Sequence, residues 1–196
     1  LGSPNSKAVK QTIADLNYHA EVLDILECDK NSVMVIHGGG TYGDKPGSKI
    51  RWVERYNNLP DNIKKRLVLE NCERCYSIED CLKIHEICKI PIVFDTHHFE
   101  CYKLLHPQET FKPASDYIKD ILDTWKIKDI KPKFHVSEQG SGKVGHHSDY
   151  IDIIPEYLLE IPEKYGVHID IMIEAKMKEL SIQKLYEKYP QCNCLI

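Results

Sequence analysis

Five apolar segments of the chain each end in a histidine or a carboxylate. The five residues are His37, Glu70, Asp95, His135 and Glu174, and they follow one another at intervals of 25 to 40 residues. Ionised carboxylates are costly to bury unless they are paired or bound to a metal. Oxygen and imidazole donors suit zinc, manganese or iron, and clustered divalent ions suit phosphodiester hydrolysis. The pattern therefore predicts a site for more than one divalent ion.

Each of these residues also has an ordinary structural explanation when it is considered alone. His37 suits a hydrogen-bonded structural role, Glu70 an ion pair with a core arginine, and Asp95 a cap on the turn that follows it. His98 shares a predicted strand end with Asp95 in the segment "FDTHH". The joint pattern favours the metal site because five consecutive strand ends carry the same kind of donor.

The elements that must position these residues are strands alternating with helices. Short runs rich in β-branched residues, such as "SVMVIHGGG" and "RLVLEN", predict buried parallel strands. The segment "NSKAVKQTIADLNYHAEVLDILEC" has helical spacing and precedes the first strand. Five strand–helix units after a leading helix predict an α/β fold, a partial TIM (β/α)8-type barrel, whose units run ~31 residues each. An open doubly wound sheet is the alternative. In a barrel, the carboxyl ends of all strands share one face, where active sites lie.

Composition narrows the class of protein. The chain has 196 residues, 29% of them charged, and a formal net charge of -4. This length suits one domain, residues 1–196, and the charge argues against a generally basic DNA-coating protein. The sequence contains no apolar run long enough to predict a membrane span, and no secretory signal is visible. The eight cysteines are expected to be mostly reduced, in an intracellular protein with no membrane association.

Three further features could serve a substrate or the metals. The glycine-rich segment that begins at Gly38 lacks the Walker pattern, but Tyr42 and Lys45 within it are candidates for contacts with a DNA phosphate. Lys133 lies two residues before His135, so both side chains face the same way on a strand. Lys133 could neutralise carboxylates or activate a nucleophile, or lie at the surface where the strand begins. Cys72 and Cys75 have the spacing of half a zinc knuckle or a redox pair.

Several motifs together resemble the UV damage endonuclease family. The matching segments are "VIHGGGTYGDK", "LPDNIKKRLVLENCE", "PIVFDTHH", "KFHVSE", "HHSDYI" and "IMIEAKMKEL". They extend over nearly the whole chain and are specific in order and spacing. Endonuclease IV and xylose isomerase-like barrels share the architecture but fit these segments less well.

The resemblance implies a metal-dependent DNA repair endonuclease. Such enzymes are TIM barrels with up to three divalent ions, commonly manganese with zinc as the alternative, and they cut damaged double-stranded DNA 5′ to ultraviolet photoproducts and some other lesions. Glu70 is the candidate for a carboxylate that bridges two ions, and Lys133 matches a lysine beside the metals that is carboxylated in some members. The resemblance implies the metal ligands His37, Glu70, Asp95, His98, His135, His147 and Glu174. The choice of His147 over His146 rests on the "SDYI" that follows it.

The sequence departs from the family pattern in two places. The region expected before residue 1, with three strands, further ligands and lesion-probing residues, is absent, so the chain resembles the carboxyl-terminal part of the barrel. The acidic pair that usually follows "LEN" is here Cys72 and Glu73. Alternatives therefore stay open: an abasic-site endonuclease or sugar isomerase on the same barrel, or a metal-binding fragment without catalysis.

Overall fold

The core of the protein is a parallel sheet whose strands follow one another in space as they do in the chain. The computed structural model describes residues 1–192. All five strands pair in parallel in the order β1-β2-β3-β4-β5. A doubly wound sheet reverses its strand order at a switch point, and this sheet does not. The alternative of a doubly wound sheet is therefore wrong, and the topology fits a section of a TIM-type barrel. The strands are β1 (Met34–His37), β2 (Leu67–Glu70), β3 (Ile92–Asp95), β4 (Lys133–Val136) and β5 (Asp170–Ile173).

Helices connect the strands, and their beginnings follow capping signals in the sequence. Asn5 caps the leading helix by accepting hydrogen bonds from the N–H groups of Lys7 and Ala8. Ser77 and Asp80 form a capping box at the start of the helix after β2. The helices are α1 (Ser6–Ile25), α2 (Lys45–Asn57), α3 (Asp61–Lys64), α4 (Ile78–Cys88), α5 (Thr96–Leu105), α6 (Ile118–Trp125), α7 (Glu156–Leu159), α8 (Ile161–Tyr165) and α9 (Glu179–Lys188), with 3-10 turns at Ala114–Tyr117 and Pro190–Cys192.

One apolar layer lies on the inner face of the sheet. Val68 and Val93 are fully buried there, and Val35 and Met172 pack against them. Each of these residues lies two positions before a strand-end donor, so strand alternation puts the donors on the same face, one layer nearer the carboxyl edge. The larger core fills the space between the sheet and the helices. The inner layer thus supports the carboxyl edge where the predicted site residues lie.

The structure differs from the sequence-based prediction after β3. We expected Asp95 and His98 to share a strand end in "FDTHH", but the strand ends at Asp95 and α5 begins at Thr96. Asp95 is the cap of this helix, because its carboxylate accepts a 2.7 Å hydrogen bond from the N–H of His98. His98 therefore lies in the first turn of a helix and not at a strand end. Its side chain is still directed to the carboxyl edge of the sheet.

Cys72 and Cys75 lie in the segment between β2 and α4. Cys72 and Cys75 are free thiols, and Cys72 Sγ accepts hydrogen bonds from the N–H groups of Cys75 and Tyr76. The predicted reduced state of Cys194 falls outside residues 1–192. Across those residues, no helix combines the length and apolar character needed to cross a bilayer.

Candidate metal centre

The carboxylate of Glu70 lies at the centre of the predicted site. Its Oε2 is 3.2 Å from His37 Nε2, and its Oε1 is 3.2 Å from His98 Nδ1 and 3.1 Å from His135 Nδ1. His135 Nδ1 is also 2.9 Å from Oε1 of Glu174. These donors form two groups with metal-ligand spacing, His37–Glu70–His98 and Glu70–His135–Glu174. The two groups share Glu70.

The strand register explains why residues so distant in the chain meet. His37 is paired with Glu70 across β1 and β2, and Asp95 is paired with His135 across β3 and β4. Glu174 follows β5 and donates its N–H to Val136 O at 3.0 Å. Because parallel strands in register bring their carboxyl ends to one edge, all of these donors lie at the same edge of the sheet.

His147 reaches the same edge on the loop that follows β4. Its Nδ1 is 3.7 Å from Glu174 Oε2, and its ring centroid is 6.1 Å from that of His98. A bridge between Gln139 and His147 closes the loop. His146 Nδ1 instead lies against Gly142, where an added Cβ would be 2.7 Å away. The loop geometry thus favours His147 as the donor nearer the cluster.

Burial and ion pairing oppose each other in this cluster. Burial disfavours the imidazolium of His135, but hydrogen bonds to Glu174 and Glu70 raise its pKa to about 10. For His98 burial acts in the same direction, and the hydrogen bond to Glu70 and the charge of Asp95 raise its pKa to about 9. Burial would raise the pKa of Glu70, yet hydrogen bonds from His135, His37 and His98 hold it well below the usual range. In the absence of cations, protons on imidazoles therefore compensate the buried carboxylate.

Asp95 provides an independent indication that the donor set accommodates a cation. Asp95 is fully buried, and burial raises the pKa of its carboxyl group to about 6. Its Oδ2 atom has no hydrogen-bond partner among residues 1–192, and its ion-pair contact with His98 Nδ1 is 3.7 Å long. A buried carboxylate oxygen without a partner costs free energy. The vacant acceptor, beside a set of imidazoles and carboxylates, fits the coordination chemistry of divalent manganese or zinc.

Lys133, predicted as a catalytic residue beside the metals, is buried in the inner layer. It lies two residues before His135 on β4, as the apolar residues Val35, Val68, Val93 and Met172 lie two residues before the other strand-end donors. Its ammonium donates to the carboxylate of Asp170, the residue opposite it on β5. Lys133 faces the same side of β4 as His135, as the alternation predicted, but its ion pair lies at the amino-terminal end of the strands. Its catalytic role stays a prediction.

The two residues predicted to contact DNA differ in their freedom to do so. Tyr42 is 55% exposed in the loop after β1. Lys45 instead makes an ion pair with Asp80 and donates to the hydroxyl of Tyr102 at 3.0 Å. Lys49 also pairs with Asp80, at 2.8 Å. Asp80 therefore compensates only part of the combined charge of Lys45 and Lys49, and the phosphate contact stays a prediction.

The Asp80 ion pairs lead to a prediction about pH. Burial would raise the pKa of Asp80, but hydrogen bonds from Lys45 and Lys49 lower it below the usual range. Because the folded-state pKa is depressed, its stabilisation is present above the unfolded-state pKa and is lost as the pH falls through the folded value. We expect Asp80→Asn to lower the free energy of unfolding by about 1–3 kcal/mol at pH 7 and by less at pH 3.

Urea denaturation at the two pH values measures this difference. Asp61→Asn is a matched control, because Asp61 pairs with Lys64 through a fully exposed carboxylate and should cost less than about 1 kcal/mol. An equal loss for Asp80→Asn at both pH values would contradict the prediction.

Comparison with known proteins decides the family. The model of the family "UV-endonuclease UvdE" matches residues 1–195. The chain belongs to the UV-endonuclease UvdE family. It is 35% identical over 190 residues to the UV DNA damage endonuclease of Bacillus velezensis, covering 95% of this chain and 57% of that one. It is 36% identical over 180 residues to the UV DNA damage endonuclease of a Bacillus cereus strain, covering 90% and 54%.

A solved structure supports the fold of this UvdE chain. The structure titled "Crystal Structure of SacUVDE" matches with a TM-score of 0.79 and 31% identity, over 100% of this chain and 63% of that one. The predicted α/β fold of the TIM-barrel type is thereby confirmed. The chain spans a little over half the length of the curated relatives, 54–57% for the two Bacillus proteins.

Two residues of this UvdE chain next to the site escaped the sequence analysis. Asn71 follows Glu70 and is 1% exposed, and its side chain bonds to the backbone of Asp95. His97 precedes His98, and its ring is 6.2 Å from that of His147. The doubled histidine in "FDTHH" was a visible signal for His97. For Asn71 the signal was only its place after a strand-end carboxylate, which says nothing of the bonds its side chain makes.

Proposed function

We propose that this chain contributes the metal centre of a divalent-metal-dependent endonuclease that hydrolyses DNA 5′ to ultraviolet photoproducts and other lesions. The observation that carries the proposal is the pair of three-residue donor groups that share Glu70. Shared carboxylates are suited to holding two cations close together, as in two-metal phosphodiester hydrolysis. Family membership points to damaged double-stranded DNA as the substrate.

The charges of the site also argue for cations in a reaction on DNA. Glu70, Asp95 and Glu174 bring three carboxylates to one edge of the sheet. A phosphodiester carries a negative charge of its own and would be repelled by them wherever neither a cation nor a protonated imidazole compensates their charge. Divalent ions held there would reverse this field, polarise the phosphoryl oxygens and make water a stronger nucleophile near neutral pH. Manganese is our first choice for these ions, with zinc as the alternative, and up to three ions are proposed.

The protein's own residues divide the remaining tasks. Glu70 is 3% exposed and has both oxygens directed at imidazoles, which fixes the centre of the site. His37 and Glu174 lie nearer the solvent, with side chains 42% and 33% exposed. We propose that a DNA phosphate approaches over these two residues. His98, His135 and His147 complete the donor set, and Asp95 contributes the vacant Oδ2 described above.

The same proposal has consequences for the portion of the barrel that this chain forms and for the location of the protein in the cell. Because the chain covers 63% of SacUVDE, we propose that it is one portion of a TIM barrel, the carboxyl-terminal portion according to its motifs. A protein that repairs DNA works where DNA is, so we propose an intracellular location.

A nicking assay on the full-length gene product tests the function. We expect manganese-dependent cuts 5′ to photoproducts in an irradiated duplex, loss of cutting after treatment with EDTA, and recovery when manganese is restored. An unirradiated duplex and a duplex with one abasic site are the controls. Cutting of the abasic duplex alone would favour an abasic-site endonuclease. Manganese binding without any cutting would favour the non-catalytic alternative, and an aldose–ketose assay tests the isomerase.

A further inference from the structure

The side-chain amide of Asn71 joins the ends of two ligand-bearing strands. Its Nδ2 donates to Asp95 O at 3.0 Å, and its Oδ1 accepts from the N–H of Asp95 at 2.9 Å. Both bonds are buried, and Asn71 is 1% exposed. One amide thus bonds to both the N–H and the C=O of a residue on the neighbouring strand.

This contact lies where the backbone ladder between β2 and β3 has stopped. The paired residues of these strands are Leu69 with Ile92 and Glu70 with Val93. Asp95 lies two residues beyond the last pair, so its N–H and C=O have no partner on the backbone of β2. Buried backbone groups without partners are costly, and the Asn71 amide replaces the missing backbone of β2. The position of Asp95 relative to Glu70 therefore depends on Asn71.

The backbone of Asn71 adds a third contact, to His98. The carbonyl oxygen of Asn71 lies 3.2 Å from His98 Nδ1. The N–H of His98 is in turn bonded to Asp95 Oδ1 at 2.7 Å. Asn71 is therefore attached directly to Glu70 in the chain, to the backbone of Asp95, and to the ring of His98. A displacement of the Asn71 side chain would alter the distances among all three.

We propose that Asn71 is a positioning residue of the metal centre. It holds Asp95 and His98 close enough to Glu70 for the three side chains to bind the same group of cations. This inference rests on the proposed function, because it gives Glu70, Asp95 and His98 the role of metal ligands. Outer-shell hydrogen bonds of this kind commonly contribute about 10–100-fold to metal affinity. Asn71 itself contributes no ligand atom in this proposal.

The test compares Asn71→Ala with a matched variant at the opposite end of β3. Thr124 is 1% exposed, and its hydroxyl accepts a buried 3.1 Å hydrogen bond from the N–H of Ile92. Thr124→Val removes a buried bond between a side chain and the β3 backbone but leaves the carboxyl edge intact. Both variants are made in the full-length gene product. Titration calorimetry with Mn²⁺ gives the affinity, and urea denaturation without metal gives the stability.

We expect both variants to shift the urea midpoint downward, but only Asn71→Ala to weaken Mn²⁺ binding, by about 10–100-fold. Nicking at saturating Mn²⁺ should then recover most of its wild-type rate, because the ligands are still present. Equal Mn²⁺ affinity of the two variants would overturn the inference. A wild-type protein that binds no Mn²⁺ would instead refute the proposed function. If the alanine variant does not fold, Asn71→Ser is used and the same comparison decides.

Discussion

Replacement of Glu70 by glutamine should weaken divalent-ion binding more than any other single change in the chain. Glutamine keeps the volume of the side chain, so the buried position at 3% exposure is still filled. It removes the negative charge from the residue that both donor groups share. Loss of an outer-shell partner already costs about 10–100-fold in metal affinity, so we expect at least a 100-fold loss here and a comparable loss of nicking.

The measurement is Mn²⁺ bound per chain and its dissociation constant, with nicking of irradiated DNA measured alongside. Glu54→Gln is the matched control, because Glu54 is exposed on α2 and the same chemical change there should leave both quantities unaltered. Circular dichroism establishes that each variant is folded. A Glu70→Gln protein that binds two ions with wild-type affinity would rule out the shared-carboxylate arrangement.

The strand-end pattern was predictable because it follows from chain geometry alone. The strands end at or within one residue of His37, Glu70, His135 and Glu174, and parallel strands bring such ends to one edge. The sequence supplied these facts without any knowledge of side-chain contacts. The sheet order then brought the four residues to one cluster.

The position of His98 was harder to predict because two signals overlap at Asp95. A carboxylate at the end of an apolar run looks like a ligand, and a carboxylate just before a helical segment looks like a helix cap. In the structure, Oδ1 of Asp95 caps α5, and Oδ2 has no hydrogen bond within the described part of the chain, which leaves it available for the proposed cation. The two oxygens of one carboxylate can have different partners. A helix-cap prediction and a metal-ligand prediction for the same residue therefore do not exclude each other.

Lys133 and Asn71 show what periodicity leaves open. Alternation correctly put Lys133 on the face of His135, but a long side chain can turn toward either end of a strand, and here it pairs with Asp170. The role of Asn71 depends on a backbone ladder that stops two residues before Asp95. Neither the direction of a long side chain nor the end of a ladder is encoded in the spacing of residue types.

Removal of the Arg66 side chain should cause a large loss of stability. Arg66 is 5% exposed, and its guanidinium donates to the carbonyl oxygens of Cys28, Asp29 and Ser32 at 2.9–3.0 Å. It also donates to Asp24 Oδ1 at 2.8 and 3.2 Å. Arg66→Ala leaves the carbonyl oxygens of Cys28 and Ser32 without a donor among the described residues, at about 1–3 kcal/mol each where water cannot reach them, whereas Asp29 O keeps the N–H of Ser32. Since Asp24 is partly exposed and can be solvated, we expect a total loss of roughly 3–5 kcal/mol.

A neighbouring lysine separates this effect from a simple loss of charge. Lys65 pairs with the same Asp24 at 2.9 Å, but its side chain is 51% exposed, so Lys65→Ala should cost less than about 1 kcal/mol. Arg66→Lys keeps the charge but not the planar fork and should restore only part of the stability. Urea denaturation of the three variants measures the order. Equal losses for Arg66→Ala and Lys65→Ala would show that the carbonyl contacts contribute little.

The same variant links stability to the metal centre through β1. Arg66 holds the segment between α1 and β1, and its own carbonyl accepts the N–H of Met34 at 2.8 Å. Three residues further along β1, His37 reaches Glu70 at 3.2 Å. If this segment becomes more mobile, the start of β1 is held less firmly. The distance between His37 and Glu70 is then less well fixed. We therefore expect Arg66→Ala to weaken Mn²⁺ binding at temperatures where the protein is still folded, whereas Lys65→Ala should bind Mn²⁺ as the wild type does.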